Sequence, residues 1–251
     1  MRVGFILPDQ HFPLHDQKAF KVVLKALEII RPSFFVNLGD VGEWESVSAW
    51  QWKGKKLPPL EYQLPVINKE IKVVNKLVDV LDKQLTFVGC NERYILQGNH
   101  DLWLDLFVEK YPYMKFHTFK EACRWTKRGY KYLEHNVPLK IGKLNFIHGV
   151  YTTPNHAKKT LESFGVNIIY GHTHDIQRHN ITRLEDGAIS AWSLGCIKRL
   201  DLAANKWLKG KPNNWQHAFG VMYLFPDETF RLEIVDIING KTNVWGKAIS
   251  V

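Results

Sequence analysis

Cysteine is scarce in this chain, with 3 among 251 residues. Cys90, Cys123 and Cys196 are scattered, odd in number, and outside any spacing typical of a metal site. Because disulfide-rich secreted domains depend on regularly spaced cysteine pairs, this usage argues against a disulfide framework. We therefore expect a protein of the reducing cytoplasm.

Long apolar runs are also missing, and none reaches the roughly 20 residues that a membrane-spanning helix needs. Residues 1–7 contain one basic residue and a short apolar stretch that leads directly into Asp9. They therefore predict a first strand and not a signal peptide, and we expect no membrane partner. Internal repeats, low-complexity tracts and linkers are absent as well, which favours a single domain over residues 1–251.

Positive charge is what the sequence has in excess. Lysine and arginine number 34 against 25 acidic residues, which gives a net charge of +9 and a pI of about 9.3. Such a surplus attracts polyanions, namely nucleic acid, nucleotides or phosphoproteins. The nine tryptophans fit either core packing or stacking against bases.

The first forty residues alternate between strand and helix patterns. Residues 3–7 and 34–38 predict buried strands, and the apolar face between residues 20 and 30 predicts a helix between them. This order is typical of a parallel strand–helix–strand crossover in an α/β fold. Strand patterns dominate the second half, where Asp186-Gly187 predicts a turn between two runs.

Polar segments follow the apolar runs at several points. Gly98-Asn99-His100-Asp101 comes after the run at residues 94–96. Alone, it would fit a strand-to-helix turn with Asn and Asp as caps. Four more segments stand in comparable positions: Asp9-Gln10-His11, Gly39-Asp40, His148-Gly149 and Gly171-His172-Thr173-His174.

These segments carry side chains that divalent transition metals bind, because carboxylate oxygens and imidazole nitrogens are suitable ligands. The alternation in His172-Thr173-His174 lets two imidazoles leave one turn in different directions. A carboxylate such as that of Asp40 can bridge two ions through its two oxygens. The six strongest ligand candidates are Asp9, His11, Asp40, His148, His172 and His174.

In this order the segments resemble the signature of the calcineurin-like metallophosphoesterases: Asp-x-His, Gly-Asp, Gly-Asn-His-Asp, His and Gly-His-x-His. The resemblance runs from Asp9 to His174, about two thirds of the chain. It implies an α/β fold, a four-layer α/β/β/α sandwich, with two divalent metal ions at the strand ends. Mn²⁺ is the expected metal, with Fe, Zn or a mixed pair as alternatives.

The resemblance also implies a role for each residue. One metal would take two carboxylates and two imidazoles: Asp9, His11, Asp40 and His174. The second would take the shared carboxylate, an amide and two imidazoles: Asp40, Asn99, His148 and His172. His100 would be catalytic, stabilising transition-state charge or protonating the leaving oxygen, and Asp101 would orient it. The implied reaction is attack on phosphorus by a metal-bridging hydroxide, without a covalent enzyme intermediate.

Differences between the branches of this family bear on the substrate. Protein Ser/Thr phosphatases of this family typically have Asp-Arg-Gly after Gly-Asp, and Gly-Asn-His-Glu. This chain has Val41-Gly42-Glu43 after Asp40 and Asp101 after His100, which looks more like the phosphodiesterase and DNA-repair nuclease branches. Together with the basic charge, this favours a phosphodiesterase that acts on nucleic acid.

Two alternatives stay open. One is a phosphomonoesterase that acts on a phosphoprotein or a nucleotide, and the other is a non-enzymatic scaffold or nucleic-acid-binding module. Basic and aromatic residues mix in segments 44–59 and 120–131. The first fits either a solvated loop anchored by one or two tryptophans or a substrate-binding flap, and the second fits either an ordinary exposed helix with a packed underside or a nucleic-acid contact. In the functional interpretation, both border the substrate groove. The expected substrate contacts in this interpretation are Trp44, Lys53, Arg124 and Lys127.

Overall fold

The computed structural model describes residues 1–184 and 187–251, so Asp186 of the predicted turn lies outside the described residues. The strands are β1 (Arg2–Leu7), β2 (Phe34–Asn37), β3 (Glu92–Leu96), β4 (Tyr130–Leu133), β5 (Leu139–Ile141), β6 (Leu144–Phe146), β7 (Ile168–Tyr170), β8 (Ile176–Arg183), β9 (Gly187–Leu194), β10 (Ala218–Leu224), β11 (Phe230–Asp236), β12 (Lys241–Val244) and β13 (Lys247–Ser250). The α-helices are α1 (Gln17–Ile30), α2 (Leu60–Phe87), α3 (Asn99–Lys110), α4 (Phe119–Ala122) and α5 (His156–Phe164). Short 3₁₀ helices cover Glu45–Val47, Pro112–His117 and Lys206–Leu208.

The first sheet has the strand order β11-β10-β1-β2-β3-β4. Strands β1 to β4 are parallel, and β10 and β11 extend the sheet in antiparallel fashion. Leu7 pairs with Asn37, and Asn37 pairs with Ile95. The carboxyl ends of β1, β2 and β3 therefore lie side by side, where open α/β sheets bind ligands.

The helices between these strands follow from local sequence signals. Asp16 caps α1 by accepting a hydrogen bond from the Ala19 amide at 2.8 Å, and the predicted strand–helix–strand crossover is confirmed. Helix α2 is long and runs without interruption from Leu60 to Phe87. Leu85 is buried on the same face as Val78 and Leu81, so packing extends the helix by one turn.

The second sheet has the order β5-β6-β7-β9-β8. Its central strands β6, β7 and β9 are parallel, and the edge strands β5 and β8 are antiparallel to their neighbours. The carboxyl ends of β6 and β7 are adjacent, because Phe146 pairs with Ile169. These ends carry the histidine motifs of the second half of the chain.

Three apolar clusters define the layers. One joins α1, α2 and α3 to one face of the first sheet through residues such as Phe5, Leu27 and Val78. A second lies between the two sheets, and a third joins the outer face of the second sheet to α5. The expected four-layer α/β/β/α sandwich is confirmed, while the single domain over residues 1–251 stays a prediction.

The structure bears on the predictions about disulfides and membrane-spanning helices. Cys90, Cys123 and Cys196 are buried and free, so the described residues contain no disulfide framework. Within the described parts of the chain, no helix combines the length and the apolarity needed to cross a membrane.

Candidate metal centre

The predicted ligands come together at the edge where the two sheets face each other. Each follows a strand end within a few residues or opens the next helix, so its position is set by a buried strand. Asp9 and His11 follow β1, Asp40 follows β2, Asn99 opens α3 after β3, His148 follows β6, and His172 and His174 follow β7.

The first cluster consists of Asp9, His11, Asp40 and His174, whose ligand atoms all lie within 4.8 Å of one another. The Nε2 atoms of His11 and His174 are 3.0 Å apart. Asp9 Oδ1 lies 3.6 Å from His174 Nε2, and Asp40 Oδ2 lies 3.6 Å from His11 Nε2. All four residues are buried.

The second cluster consists of Asp40, His148 and His172. His148 Nε2 lies 3.3 Å from Asp40 Oδ2 and 2.9 Å from Asn99 Oδ1. The ring centroids of His148 and His172 are 5.1 Å apart. Asp40 belongs to both clusters, so the structure places its carboxylate between the two groups of ligands.

The donor atoms of these two clusters suit metal ions. Asp9 Oδ2 is buried and has no hydrogen-bond partner among the described residues. A buried carboxylate oxygen without a donor is costly, and the nearby Nε2 atoms of His11 and His174 converge on each other. Carboxylate, imidazole and amide donors of this kind are ligands for divalent transition metals.

The backbone of the ligands is unusual. Non-glycine residues rarely adopt the left-handed region, and those that do cluster at functional sites. Five predicted ligands have a positive φ: Asp9 (27°), His11 (50°), Asp40 (49°), His172 (69°) and His174 (64°). This conformation at both histidines of His172-Thr173-His174 is the physical basis of their divergence from one turn.

Two glycines make room for the carboxylates. A Cβ atom at Gly98 would lie 2.1 Å from Asp40 Oδ1, and one at Gly171 would lie 1.9 Å from Asp9 Oδ2. Backbone amides hold the carboxylates at the same place, since His100 N–H donates to Asp40 Oδ1 at 2.8 Å. His172 N–H donates to Asp9 Oδ1 at 2.9 Å. In each carboxylate this leaves Oδ2 available to a metal.

Two ligand histidines have an outer partner next to Nδ1. His148 Nδ1–H donates to the Leu38 carbonyl at 2.9 Å, which leaves Nε2 facing the cluster. His11 Nδ1 lies 2.8 Å from Glu43 Oε2. The Glu43 carboxylate is in turn paired with the buried Lys198, whose Nζ lies 3.0 and 2.8 Å from the two oxygens. Such partners orient metal-binding imidazoles.

Sequence reasoning missed Glu43 and Lys198 as site residues. Glu43 stands three residues after Asp40, which is a weak signal, and Lys198 lies outside every motif. Only the fold brings Lys198, located after β9, to the end of β2. Although burial opposes ionisation of Glu43, its close contact with His11 and the charge of Lys198 outweigh this effect and hold the pKa of Glu43 below its ordinary value.

The electrostatics of the cluster favour metal binding. Burial lowers the pKa of His11 to about 3 and that of His172 to about 3, so both imidazoles are neutral, as ligands must be. In the Asp40–His148 pair, attraction outweighs burial. It raises the pKa of His148 to about 10 and, together with His100, holds the pKa of Asp40 well below its ordinary value. A metal would displace the His148 proton.

His100 lies beside the clusters with one nitrogen already engaged. Its Nδ1–H donates to the Glu43 carbonyl at 3.1 Å, and its ring packs on Trp103 with the centroids 4.0 Å apart. His11, Glu43 and His100 also form a third group of potential ligands. However, the Glu43 carboxylate already pairs with Lys198 and His11, and His100 Nε2 is the ring nitrogen that the Glu43 carbonyl does not hold.

The prediction that Asp101 orients His100 is wrong. Asp101 accepts hydrogen bonds from Trp44 Nε1 at 2.9 Å and from the Gly98 amide at 3.1 Å, with two further amides at 3.3 Å. Burial and the charge of Asp40 raise its pKa to about 7. Asp101 thus joins the Asp40 loop to the start of α3, and the Glu43 carbonyl orients His100.

Three of the predicted substrate contacts have protein partners in the structure. Trp44 is 1% exposed and bound to Asp101, so its prediction as a substrate contact is wrong. Arg124 donates to Asn75 of α2 at 3.4 Å, and Lys53 lies 5.5 Å from the Trp50 ring centroid; neither contact involves a cluster residue. Lys127 is exposed, and its role stays a prediction.

The basic and aromatic segment 120–131 is largely a packed element. Trp125 and Tyr130 belong to the core of the helical layer. Arg128 lies 2.7 Å from Asp79 Oδ1 and also pairs with Asp82, which fixes the segment to α2. The segment therefore packs against the rest of the molecule, but it is not the predicted exposed helix, because only Phe119–Ala122 is helical and β4 begins at Tyr130. A border of the substrate groove at this segment stays a prediction.

Replacing Glu43 with glutamine is expected to weaken metal binding by about 10- to 100-fold, the usual cost of losing an outer partner of a ligand histidine. The amide keeps the shape of the side chain, but it carries no negative charge to pair with Lys198 or to polarise the neutral His11 imidazole. Competition with a chromogenic chelator for Mn²⁺ or Zn²⁺ measures the affinity. Glu45→Gln, at an exposed position, is the matched control, and wild-type affinity in Glu43→Gln would contradict the role.

No protein-family model matches the chain. It is 23% identical to the Gene 54 protein of Mycobacterium phage L5, with 98% of both chains covered. It is also 23% identical to the Gene 54 protein of Mycobacterium phage D29, with 96% of both covered. At this identity, the function has to follow from the chemistry of the site.

Solved structures with a similar arrangement include a single mutant of Vps29 from Entamoeba histolytica, at a TM-score of 0.47 and 13% identity, covering 96% of both chains. Vps29 from Chaetomium thermophilum matches with a TM-score of 0.46 and 10% identity, covering 99% of this chain and 97% of that one. YfcE, a phosphoesterase from E. coli, matches with a TM-score of 0.41 and 16% identity, covering 94% and 100%.

Proposed function

We propose that this protein is a metal-dependent phosphoesterase that hydrolyses phosphodiester bonds, with nucleic acid as its substrate class. The observation that carries the proposal is the buried carboxylate of Asp40, shared by two clusters of metal-binding side chains and held by the amide of His100. The order of the motifs, which resembles that of the calcineurin-like metallophosphoesterases, supports the same reaction class.

Two divalent ions are proposed, with Mn²⁺ as the first candidate. One would be held by Asp9, His11, Asp40 and His174, and the other by Asp40, Asn99, His148 and His172. When bound, such ions neutralise phosphate charge and supply a nucleophile from water at neutral pH. The protein itself provides the fixed geometry, because strand ends, backbone amides and outer partners hold each donor in place.

His100 is proposed as the acid that protonates the leaving oxygen. Its Nδ1–H is held by the Glu43 carbonyl, so Nε2 is the nitrogen that can deliver a proton. Burial lowers the pKa of His100 in the free protein, with the charges of Asp40 and Glu43 acting against this shift. A substrate phosphate adds negative charge nearby and favours the protonated form.

A substrate panel tests the proposal. The protein loaded with Mn²⁺ is assayed on bis(p-nitrophenyl) phosphate and p-nitrophenyl phosphate, and then on single- and double-stranded DNA and RNA. Faster hydrolysis of the diester, together with cleavage of a nucleic acid, supports a nuclease-like phosphodiesterase. Preference for the monoester would support the phosphomonoesterase alternative, and stability of every ester would support a non-enzymatic role.

We expect two metal ions per chain at saturation, since Asp40 is common to both clusters. Protein reloaded with Mn²⁺ and freed of excess metal should give close to two equivalents by elemental analysis. The Glu45→Gln protein serves as the control for non-specific surface binding. A clean single equivalent at saturation would defeat the two-metal proposal.

A further inference from the structure

A row of aromatic rings leads outward from the proposed metal centre. The Trp215 ring lies 4.6 Å from the ring of His174, and the Trp207 ring lies 5.8 Å from that of Trp215. Exposure increases along this row, from 6% at His174 to 65% at Trp207. The outermost ring therefore offers a free aromatic face close to the centre.

The segment that carries these tryptophans, residues 199–217, is anchored. Asn205 is fully buried, and its Nδ2 donates to the carbonyls of Arg199 at 2.7 Å and Asp201 at 2.9 Å. At the other end, the Gln216 amide donates to the His174 carbonyl at 2.8 Å. The ring positions thus follow from buried hydrogen bonds at both ends of the segment.

The surroundings of the two rings suit a polyanion. Residues 202–226 contain no aspartate or glutamate, and Lys206, Lys209 and Lys211 are exposed beside Trp207 in the sequence. A cleft of about 470 Å³ borders Trp215, and four amide side chains line it: Gln177, Asn213, Asn214 and Gln216. Asp175 also lines the cleft, and its carboxylate is paired with His156 at 2.9 Å. Amides can hydrogen-bond the edges of nucleobases.

We propose that Trp207 and Trp215 form a stacking platform for the unpaired bases of a single-stranded nucleic acid whose phosphodiester lies at the metal centre. Aromatic faces accept any base, and lysines along the same path contact the phosphates. A duplex hides its base faces, so the platform selects single strands. This inference rests on the proposed function and narrows its substrate class.

Binding of a fluorescent oligothymidylate, measured by anisotropy in a metal chelator, tests the platform. Trp207→Leu keeps apolar bulk but removes the aromatic face, and it should weaken binding by about 5- to 150-fold, which corresponds to the 1–3 kcal/mol of one stacked base. Trp207→Phe should restore most of the affinity. Trp245→Leu, at another exposed tryptophan whose Nε1 donates to Tyr223, should bind as the wild type does.

Wild-type affinity in Trp207→Leu would overturn the platform. So would an equal loss of binding to a blunt duplex of the same length, because that would indicate backbone contact without stacking. Hydrolysis of bis(p-nitrophenyl) phosphate by the Mn²⁺-loaded wild type separates the two proposals. If that ester is stable, the proposed function fails and the binding measurement in chelator still decides the platform. If it is cleaved while Trp207→Leu binds normally, only the platform fails.

Discussion

Replacing Asp40 with asparagine is expected to remove nearly all phosphoesterase activity. The Asp40 carboxylate lies in both clusters, so the substitution takes a negative ligand from both proposed ions at once. Loss of an outer partner costs about 10- to 100-fold, and loss of this shared ligand should exceed that range. We also expect fewer than two Mn²⁺ equivalents in the Asp40→Asn protein.

Asp227→Asn makes the same chemical change at an exposed turn and should leave kcat/KM and metal content unchanged. Variants of the residues proposed to bind only one ion provide the sharper comparison. If His148→Asn or His172→Asn were more defective than Asp40→Asn, the carboxylate would not be shared in the working protein.

Replacing His100 with asparagine is expected to retain both metals and to lower kcat on a nucleic-acid substrate by about 10²- to 10⁴-fold, the usual contribution of a general acid. The loss should depend on the leaving group. An ester of an acidic phenol departs without protonation, so the variant should hydrolyse it relatively well. A nucleotide leaves as a basic alkoxide, which needs the proton.

The measurement compares kcat for bis(p-nitrophenyl) phosphate with that for an oligonucleotide, alongside elemental analysis. His179→Asn, on the edge strand β8, is the matched control. Equal losses on both substrates would reassign His100 to charge stabilisation, and loss of a metal would reassign it as a ligand.

The sequence was informative wherever a strand pattern ended in a polar motif. Parallel strands of one sheet place their carboxyl ends at one edge, so Asp9 and Asp40 could be expected to meet even though they are far apart in the chain. His148 follows a strand of the second sheet, and only the family resemblance placed it with them. The crossover built from β1, α1 and β2 followed from apolar spacing and a helix cap in the same way. These features depend on local patterns and on a general rule of topology.

The failures concern contacts that only the full fold creates. Asp101 follows His100 directly, yet the start of α3 turns its carboxylate toward Trp44 and the backbone amides. Lys198 reaches Glu43 across 155 residues of sequence. Trp207 and Trp215 lie in a segment that mixes basic and aromatic residues, as segments 44–59 and 120–131 do. Only the contact of Trp215 with His174 distinguishes this segment from the other two.

The left-handed backbone at five of the proposed ligands affects local unfolding at the strand ends. Each such residue costs about 1–3 kcal/mol and persists only because its surroundings enforce it. The strand ends that carry the proposed ligands are therefore strained, and we expect hydrogen exchange there to be faster in the metal-free protein than in the metal-loaded protein. Binding of the proposed metals would stabilise the native state by mass action, so we expect occupancy of the centre and rigidity of this edge to rise together.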